Sequence, residues 1–370
     1  MTVSFFLWYV FLGALALQGV YYLLVFLRVA LPVKLSPPAE LPGVSVLVCA
    51  HDEETNLREL LPLLYAQDYP DFEVVVVDDR SNDGTYDYLL TEKDVQPKLH
   101  PVFVSQTPDY ANGKKWGLTL GVKAAKNDWL LLTDADCRPE SDQWLRQMAA
   151  GFTESQQFVL GYSPYRRAKG LLNAFIRFET LYVALQYLGF ARAGLPYMGV
   201  GRNLAYRKSA FLKNKGFHDF FGITGGDDDL YVNRHAKGKT TQVQYGREAL
   251  MWSEPETTWK AYFRQKKRHL SVGKLYRAGS RFLLGGLALS HTLVWLLGLV
   301  LWVFPSLYVP LAIAWGSRIL IQYLVFGLAS RRLGHAFSLW FLPLLDFLYL
   351  IYYLGVGIPA YFAKHVQWRT

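Results

Sequence analysis

Four stretches of this 370-residue chain are almost free of charge, and each is long enough to cross a bilayer. Residues 4–27 hold no charged side chain, and residues 282–303, 306–329 and 338–363 hold two between them, Arg318 and Asp346. A membrane helix needs about 20 apolar residues. A secretory leader does not fit the first stretch, which lacks a basic start and a small-residue cleavage site and is too long. Residues 43–280 carry charges throughout. The pattern excludes a single water-soluble globule and predicts a two-part molecule. An anchor over 1–30 leads to an α/β domain over 43–255, a basic interfacial segment over 256–281 and about three membrane helices over 282–363. The linker from Lys34 to Gly43 contains Pro37, Pro38 and Pro42 and reads as stiff.

Arginine and lysine set the orientation. Arg28 and Lys34 follow the first stretch, Arg277 and Arg281 precede the second, and Arg331 and Arg332 follow the third. Four crossings put all three groups on one face, which predicts a multi-pass protein of the cell (inner) membrane with its domain in the cytoplasm. Lys364 and Arg369 then fall on the wrong side, unless the last stretch is a re-entrant hairpin broken near Gly355, Gly357 and Pro359. A charged group at mid-span costs about 2.5–3.5 kcal/mol. Arg318 and Asp346 are therefore expected to pair, or Arg318 to meet an acceptor phosphate. The formal charge of +9 fits an anionic leaflet more economically than nucleic acid, which is not an expected partner. The two cysteines, Cys49 and Cys137, support neither a disulfide framework nor a zinc site. The aromatic run 170–192 reads as an interfacial helix, with a core helix as the alternative.

Within the domain, apolar runs at 44–49, 73–77, 102–104 and 129–133 alternate with helical patterns at 54–65 and 114–126. Such alternation predicts a doubly wound α/β fold, whose ligands sit at the C-terminal ends of the strands. Those ends are polar. The first reads Cys49-Ala50-His51-Asp52-Glu53-Glu54, the second Asp78-Asp79-Arg80-Ser81-Asn82-Asp83, and the last Asp134-Ala135-Asp136. Each alone suits a helix cap or turn. Three in succession suggest a site, and Asp134 with Asp136 suits a divalent ion held against phosphates.

The series Val-Asp-Asp-Arg-Ser-Asn-Asp-Gly-Thr, Asn-Gly-Lys-Lys and Asp-Ala-Asp resembles glycosyltransferase family 2 over about residues 43–270. The resemblance implies a GT-A fold, a nucleotide-sugar donor (UDP-linked) and a divalent metal, Mg or Mn. It places Ala50, Asp52, Glu53 and Asp79 at the nucleotide, with Lys114, or Lys115 in its stead, at the diphosphate. Asp136 becomes the metal ligand, with Asp134 nearer the nucleotide or metal. Gly225-Gly226-Asp227-Asp228-Asp229-Leu230 stands where the family carries Glu-Asp-x-x-Leu, so Asp227 takes the catalytic-base position, with Asp228 the alternative and Gly226 in place of the usual Glu. Gln265-Lys266-Lys267-Arg268-His269 is similar to the Gln-x-x-Arg-Trp motif of membrane synthases, which implies that Gln265 and Arg268 lie near the diphosphate and acceptor. His269 replaces its Trp. Gly201-Arg202-Asn203 resembles a family loop more weakly.

The expected chemistry is displacement of a nucleoside diphosphate from the anomeric carbon by the hydroxyl of a lipid, a lipid-linked glycan or a polysaccharide. No separate nucleophile stands out, so the expected outcome is inversion, as the resemblance also implies. A processive polysaccharide synthase subunit is one alternative, and a non-catalytic membrane assembly or transport scaffold another. A Rossmann dehydrogenase fails for want of a Gly-x-Gly-x-x-Gly turn after the first strand.

Overall fold

The computed structural model describes residues 3–33, 38, 40–335 and 337–363. Lys34, Pro37, Lys364 and Arg369 lie outside the described residues. The domain is built on strands β1 (Val44–Ala50), β2 (Phe72–Asp78), β3 (Leu99–Phe103), β4 (Trp129–Asp134), β5 (Cys137–Pro139), β6 (Phe158–Leu160), β7 (Leu204–Arg207), β8 (Thr241–Val243) and β9 (Met251–Ser253). Seven form one sheet in the order β3-β2-β1-β4-β7-β6-β8, and β5 pairs with β9 in a small ribbon. β7 is antiparallel to β4 and to β6, while the other neighbours are parallel. The sheet is therefore mixed. The expected parallel half is β3-β2-β1-β4, and the far half uses strands of three or four residues, too short to show a period. β3 begins earlier than expected and carries Pro101, which an edge strand tolerates because its missing N–H faces no neighbour.

Both faces of β1 and β2 are covered, which explains their near-continuous valine content. Two of their polar residues, Ser45 and Glu73, are matched. Ser45 Oγ donates to Glu73 Oε1 (2.5 Å), and the same carboxylate takes the Lys126 N–H (2.6 Å). Those bonds fix the turn into β4. The helix Gly113–Ala124 approaches β1 and β2 through glycine. A Cβ at Gly121 would stand 2.5 Å from Leu47 Cδ1, and one at Gly117 would stand 3.1 Å from Cys49 Sγ. Only a bare backbone lets the helix settle this low, and its N-terminus then overhangs the sheet rim.

Among the described residues, four helices are long and apolar enough to cross a membrane: Val3–Ala30, Ala278–Leu301, Pro305–Arg332 and Leu339–Phe362. The helix Leu171–Arg192 joins them to the domain. It is buried on nearly every face, so it is a core helix, not one lying on the bilayer. Tyr187 OH donates to the Gly161 carbonyl beyond β6 (2.6 Å), while Phe178 and Tyr182 stack on Phe326 of the third apolar helix. Its last residue, Arg192, donates to the carbonyls of Arg28, Leu31 (2.6 Å) and Pro32 (2.9 Å), closing the end of the first apolar helix. Arg318 and Asp346 pair at 2.7 Å. Gln18 and Gln322 take the other Arg318 donors, and Gln322 and Trp295 donate to Asp346.

The last apolar segment does not break at its glycines. It continues as a helix through a π-helical turn at Tyr353–Gly357. Both its ends nevertheless meet the domain. Before it, His335 Nδ1 shares a 2.8 Å hydrogen bond with Tyr162 OH, and Arg177 donates to His335 Nε2 (3.2 Å). After it, Lys274 donates to the Ala363 carbonyl.

Candidate active site

The strand ends first stitch themselves together. Asp79 N–H donates to the Ala50 carbonyl (2.8 Å), and the Asp52 carboxylate takes the Asn82 N–H (2.6 Å) while its own N–H reaches Ser81 Oγ. Glu53 N–H donates to Thr85 Oγ1, and the Glu53 carboxylate accepts from Asn56. Ala50, Asp52 and Glu53 thus frame the loop that presents Asp79. The Asp79 carboxylate is nearly buried, held by Arg80 Nε (2.9 Å), and lies where a Cβ at Gly113 would stand 2.7 Å from it.

The overhanging helix then delivers Lys114. Its Nζ lies 3.0 Å from Asp134 Oδ1 and 3.3 Å from Asp227 Oδ2. Burial alone would lower the pKa of this ammonium, but Asp134, Asp227 and Asp228 outweigh it and hold the pKa well above its ordinary value. Asp227 is the mirror case: burial pushes the carboxyl up, and Lys114 with Lys115 outweigh it and hold it low.

Lys115 is turned away from this cluster, so its expected role at the diphosphate is not what its position allows. Its ammonium is fully buried and donates to the carbonyls of Ile223 and Gly225 (2.5 Å). It braces the loop that leads to Asp227. That loop passes through Gly225 and Gly226 at φ +78° and +81°, a region closed to most side chains, which gives a physical reason for glycine in place of the usual Glu. The three aspartates that follow divide their work. Asp228 caps the helix Asp229–His235, and its Oδ2 takes the Gly201 N–H (2.7 Å). Asp229 accepts from Tyr276 OH (2.7 Å), and burial with Asp228 and Asp227 beside it raises its pKa to about 8. Asp227 alone faces Lys114 across the rim.

Asp136 lies one step beyond β4, where burial and then the neighbouring Asp134 hold its carboxyl above the usual range. Such a pair gains from a cation. Arg202 supplies part of one: its guanidinium sits 4.4 Å from the Tyr165 ring, its charge acts on Asp136 and Asp134, and its buried Nη1 has no hydrogen-bond partner among the described residues. Arg202 carries little weight in the sequence, since Gly-Arg-Asn has no distinctive spacing. Among the described residues no cluster of three or more His, Cys, Asp or Glu could hold a metal. A divalent ion would therefore depend on Asp134 and Asp136 with oxygens from a diphosphate, a donor set Mg²⁺ or Mn²⁺ accepts.

The helix Trp259–Ser271 closes the other side. Lys266 anchors it to Glu179 (2.6 Å), and its Arg268 carbonyl lies beside Gly225. Gln265 Oε1 is 3.5 Å from Tyr165 OH, the ring under Arg202. Burial of the His269 ring among protein atoms, then the charges of Lys266, Arg268, Arg202 and Lys114, hold its imidazole well below its ordinary pKa.

Residues 45–214 match the model of Glycosyl transferase family 2. This chain carries a family 2 glycosyltransferase domain. Over 239 residues, 62% of its length, it is 28% identical to the "Probable glycosyltransferase YdaM" of Bacillus subtilis. Over 241 residues it is 24% identical to the poly-beta-1,6-N-acetyl-D-glucosamine synthase of Staphylococcus epidermidis. The chain spans about half the length of these curated relatives, 54% and 55%. In fold it is similar to the mannosyltransferase PcManGT of Pyrobaculum calidifontis, with a TM-score of 0.58 at 19% identity over 89% of this chain and 96% of that one. The domain has the GT-A fold, and four apolar helices accompany it.

Proposed function

We propose that the protein is an inverting, metal-dependent glycosyltransferase that moves a sugar from a UDP-linked donor to an acceptor brought by the membrane. The observation that carries this reading is Lys114, whose single ammonium bridges a rim carboxylate at the candidate metal pair, Asp134, and the candidate base, Asp227. Donor and acceptor chemistry thus share one hinge. The PcManGT structure holds GDP-Man and Mn²⁺, which supports the class of donor and ion, not the identity of the sugar.

Asp79 and its loop hold the nucleoside; Asp134 and Asp136 would hold the divalent ion, which as a Lewis acid would supply stabilisation of charge on a departing diphosphate. The acceptor oxygen attacks the anomeric carbon, the carbon–oxygen bond to phosphate breaks, and the nucleoside diphosphate leaves with the electron pair. Asp227 receives the acceptor proton, a role worth about 10²–10⁴-fold. Before donor binds, Lys114 holds Asp227 weakly basic. A diphosphate draws the ammonium away, and Asp227 becomes a stronger base when a donor is present.

The membrane-spanning reading counts three crossings, because both ends of the last apolar helix meet the domain. Arg28, Arg277, Arg281, Arg331 and Arg332 then share one face, the cytoplasmic one by the positive-inside rule.

The test is release of nucleoside diphosphate by the purified full chain across a panel of UDP- and GDP-sugars, with membrane lipid extract as acceptor and mass spectrometry of the product. Release should need Mg²⁺ or Mn²⁺ and stop with chelator. Asp227→Asn should lose at least about 100-fold in turnover while binding donor as before. Chelator-resistant release, or full turnover in Asp227→Asn, would overturn the reading.

A further inference from the structure

A cavity of about 330 Å³ opens where the domain meets the second apolar helix. Its volume lies within the range of small-molecule pockets. Its wall is part charged and part apolar. Lys237 and Arg277 line it together with Leu283, Leu284 and Phe190, and Gly279 and Ser280 lie between Arg277 and Leu283 along the chain.

The helix Ala278–Leu301 has 24 residues. At 1.5 Å per residue that is about 36 Å, against a hydrocarbon core of about 30 Å. Its first turn, through Arg281, therefore stands in the headgroup layer, and its leucines begin the apolar zone. The polar end of the cavity is positive: no carboxylate lines it among the described residues. The Lys237 ammonium makes no hydrogen bond or ion pair among the described residues, and the Arg277 guanidinium reaches only the carbonyls of Pro196 (3.1 Å) and Ala236 (3.5 Å).

We propose that this cavity binds an anionic phospholipid, with its phosphate between Lys237 and Arg277 and its first methylenes against Leu283, Leu284 and Phe190. A soluble anion would leave the apolar half unused, and a zwitterionic lipid would bring a cation to a positive wall. The lipid is not the sugar acceptor, because the cavity lies at the opposite end of the helix Asp229–His235 from Asp227. It is instead a brace. One turn after Asp229 in that helix, Asn233 takes the Arg277 N–H (2.7 Å) and donates to the Tyr197 carbonyl (2.8 Å) and Ser280 Oγ (3.2 Å). The cavity wall and the helix that follows the candidate base are thus one hydrogen-bonded unit.

The experiment compares thermal unfolding of the full chain in neutral detergent with added phosphatidylglycerol, phosphatidylcholine of the same chains, or glycerol phosphate. Native mass spectrometry counts the lipids retained. Phosphatidylglycerol should raise the midpoint by about 2–4 °C more than phosphatidylcholine, and glycerol phosphate should leave it unchanged. Lys237→Glu, at an exposed position, should erase that preference. Gly279→Trp should do the same by filling the cavity, since a Cβ there meets nothing within 4 Å. Equal protection by the two lipids, equal protection by glycerol phosphate, or a preference that survives in both variants would overturn the proposal.

Discussion

Two of the places where the molecule buries charge are built to opposite ends. Among the apolar helices, every nitrogen of Arg318 has an acceptor, and both Asp346 oxygens accept from neighbours. Among the described residues of these helices, His291 Nε2, Trp315 Nε1 and Tyr352 OH are buried without a partner, and none of them belongs to the Arg318 or Asp346 side chains. At the sheet rim, carboxylates from two segments, Asp134 and Asp227, crowd one lysine, Asp136 sits beside Asp134, and Arg202 keeps an N–H without a partner among the described residues. A closed network holds helices together and has nothing left for a ligand. An open one is costly in the empty protein and is relieved when a cation and a diphosphate arrive. Incomplete satisfaction, rather than burial of charge, is what separates a site from a strut.

Exchange of effects between the two regions is the sharpest way to break this contrast. Arg318→Ala should destabilise the chain by about 3–5 kcal/mol by leaving Asp346 unpaired, whereas Arg318→Met with Asp346→Leu should recover most of that loss with turnover per folded molecule unchanged. Asp136→Asn should show the converse, an unfolding midpoint at or above that of the parent chain with turnover lost. Thermal unfolding in detergent beside a diphosphate-release assay reads both, and loss of turnover in a stable Arg318/Asp346 double variant would dissolve the distinction.

The adjacent lysines make a smaller version of the same comparison. Lys114→Met should depress turnover and leave the fold intact. Lys115→Met should strand the Ile223 and Gly225 carbonyls and cost about 1–3 kcal/mol each, seen as a lower midpoint. Equal stability losses in the two would show that both are struts.

A last contrast concerns pH. Burial, then Asp228, raises the Asp229 carboxyl to about 8 in the folded chain, against about 3.9 when unfolded. The folded state therefore holds a proton that the unfolded state has lost between those values, and stability falls as pH rises through that window and levels off above about 8. Asp229→Asn should flatten the slope of unfolding midpoint from pH 5 to 8. A slope unchanged in that variant would assign it to another group.

Much of this was legible in the residues. The valine runs announced β1 and β2 because strands buried on both faces have no polar alternation to blur them, and the apolar helices announced themselves by length. The pairing of Arg318 with Asp346 followed from the cost of either alone in hydrocarbon. What stayed hidden depends on contacts distant in sequence. β6 and β8 have three residues each and no period to read. Leu171–Arg192 looked interfacial because its aromatic faces are alike, and only the helices packed against it make it core. Lys114 and Lys115 are indistinguishable in sequence, yet a rotation of 100° along one helix sends one to the rim and the other beneath a loop. Arg202 needed Asp136, 66 positions earlier, to give it meaning.

The glycines of the helix Gly113–Ala124 carry one more consequence. A saturation scan read only through activity would flag Gly117 and Gly121 as strongly as any aspartate, although their added methyls would meet Cys49, Leu47 and Val77 rather than any group at the rim. Those positions set the height at which Lys114 meets its partners, much as a shim sets a bearing. Larger residues there should be rescued by trimming Leu47 or Val77 on the strands below, a suppressor pattern that no residue in direct contact with the donor can show.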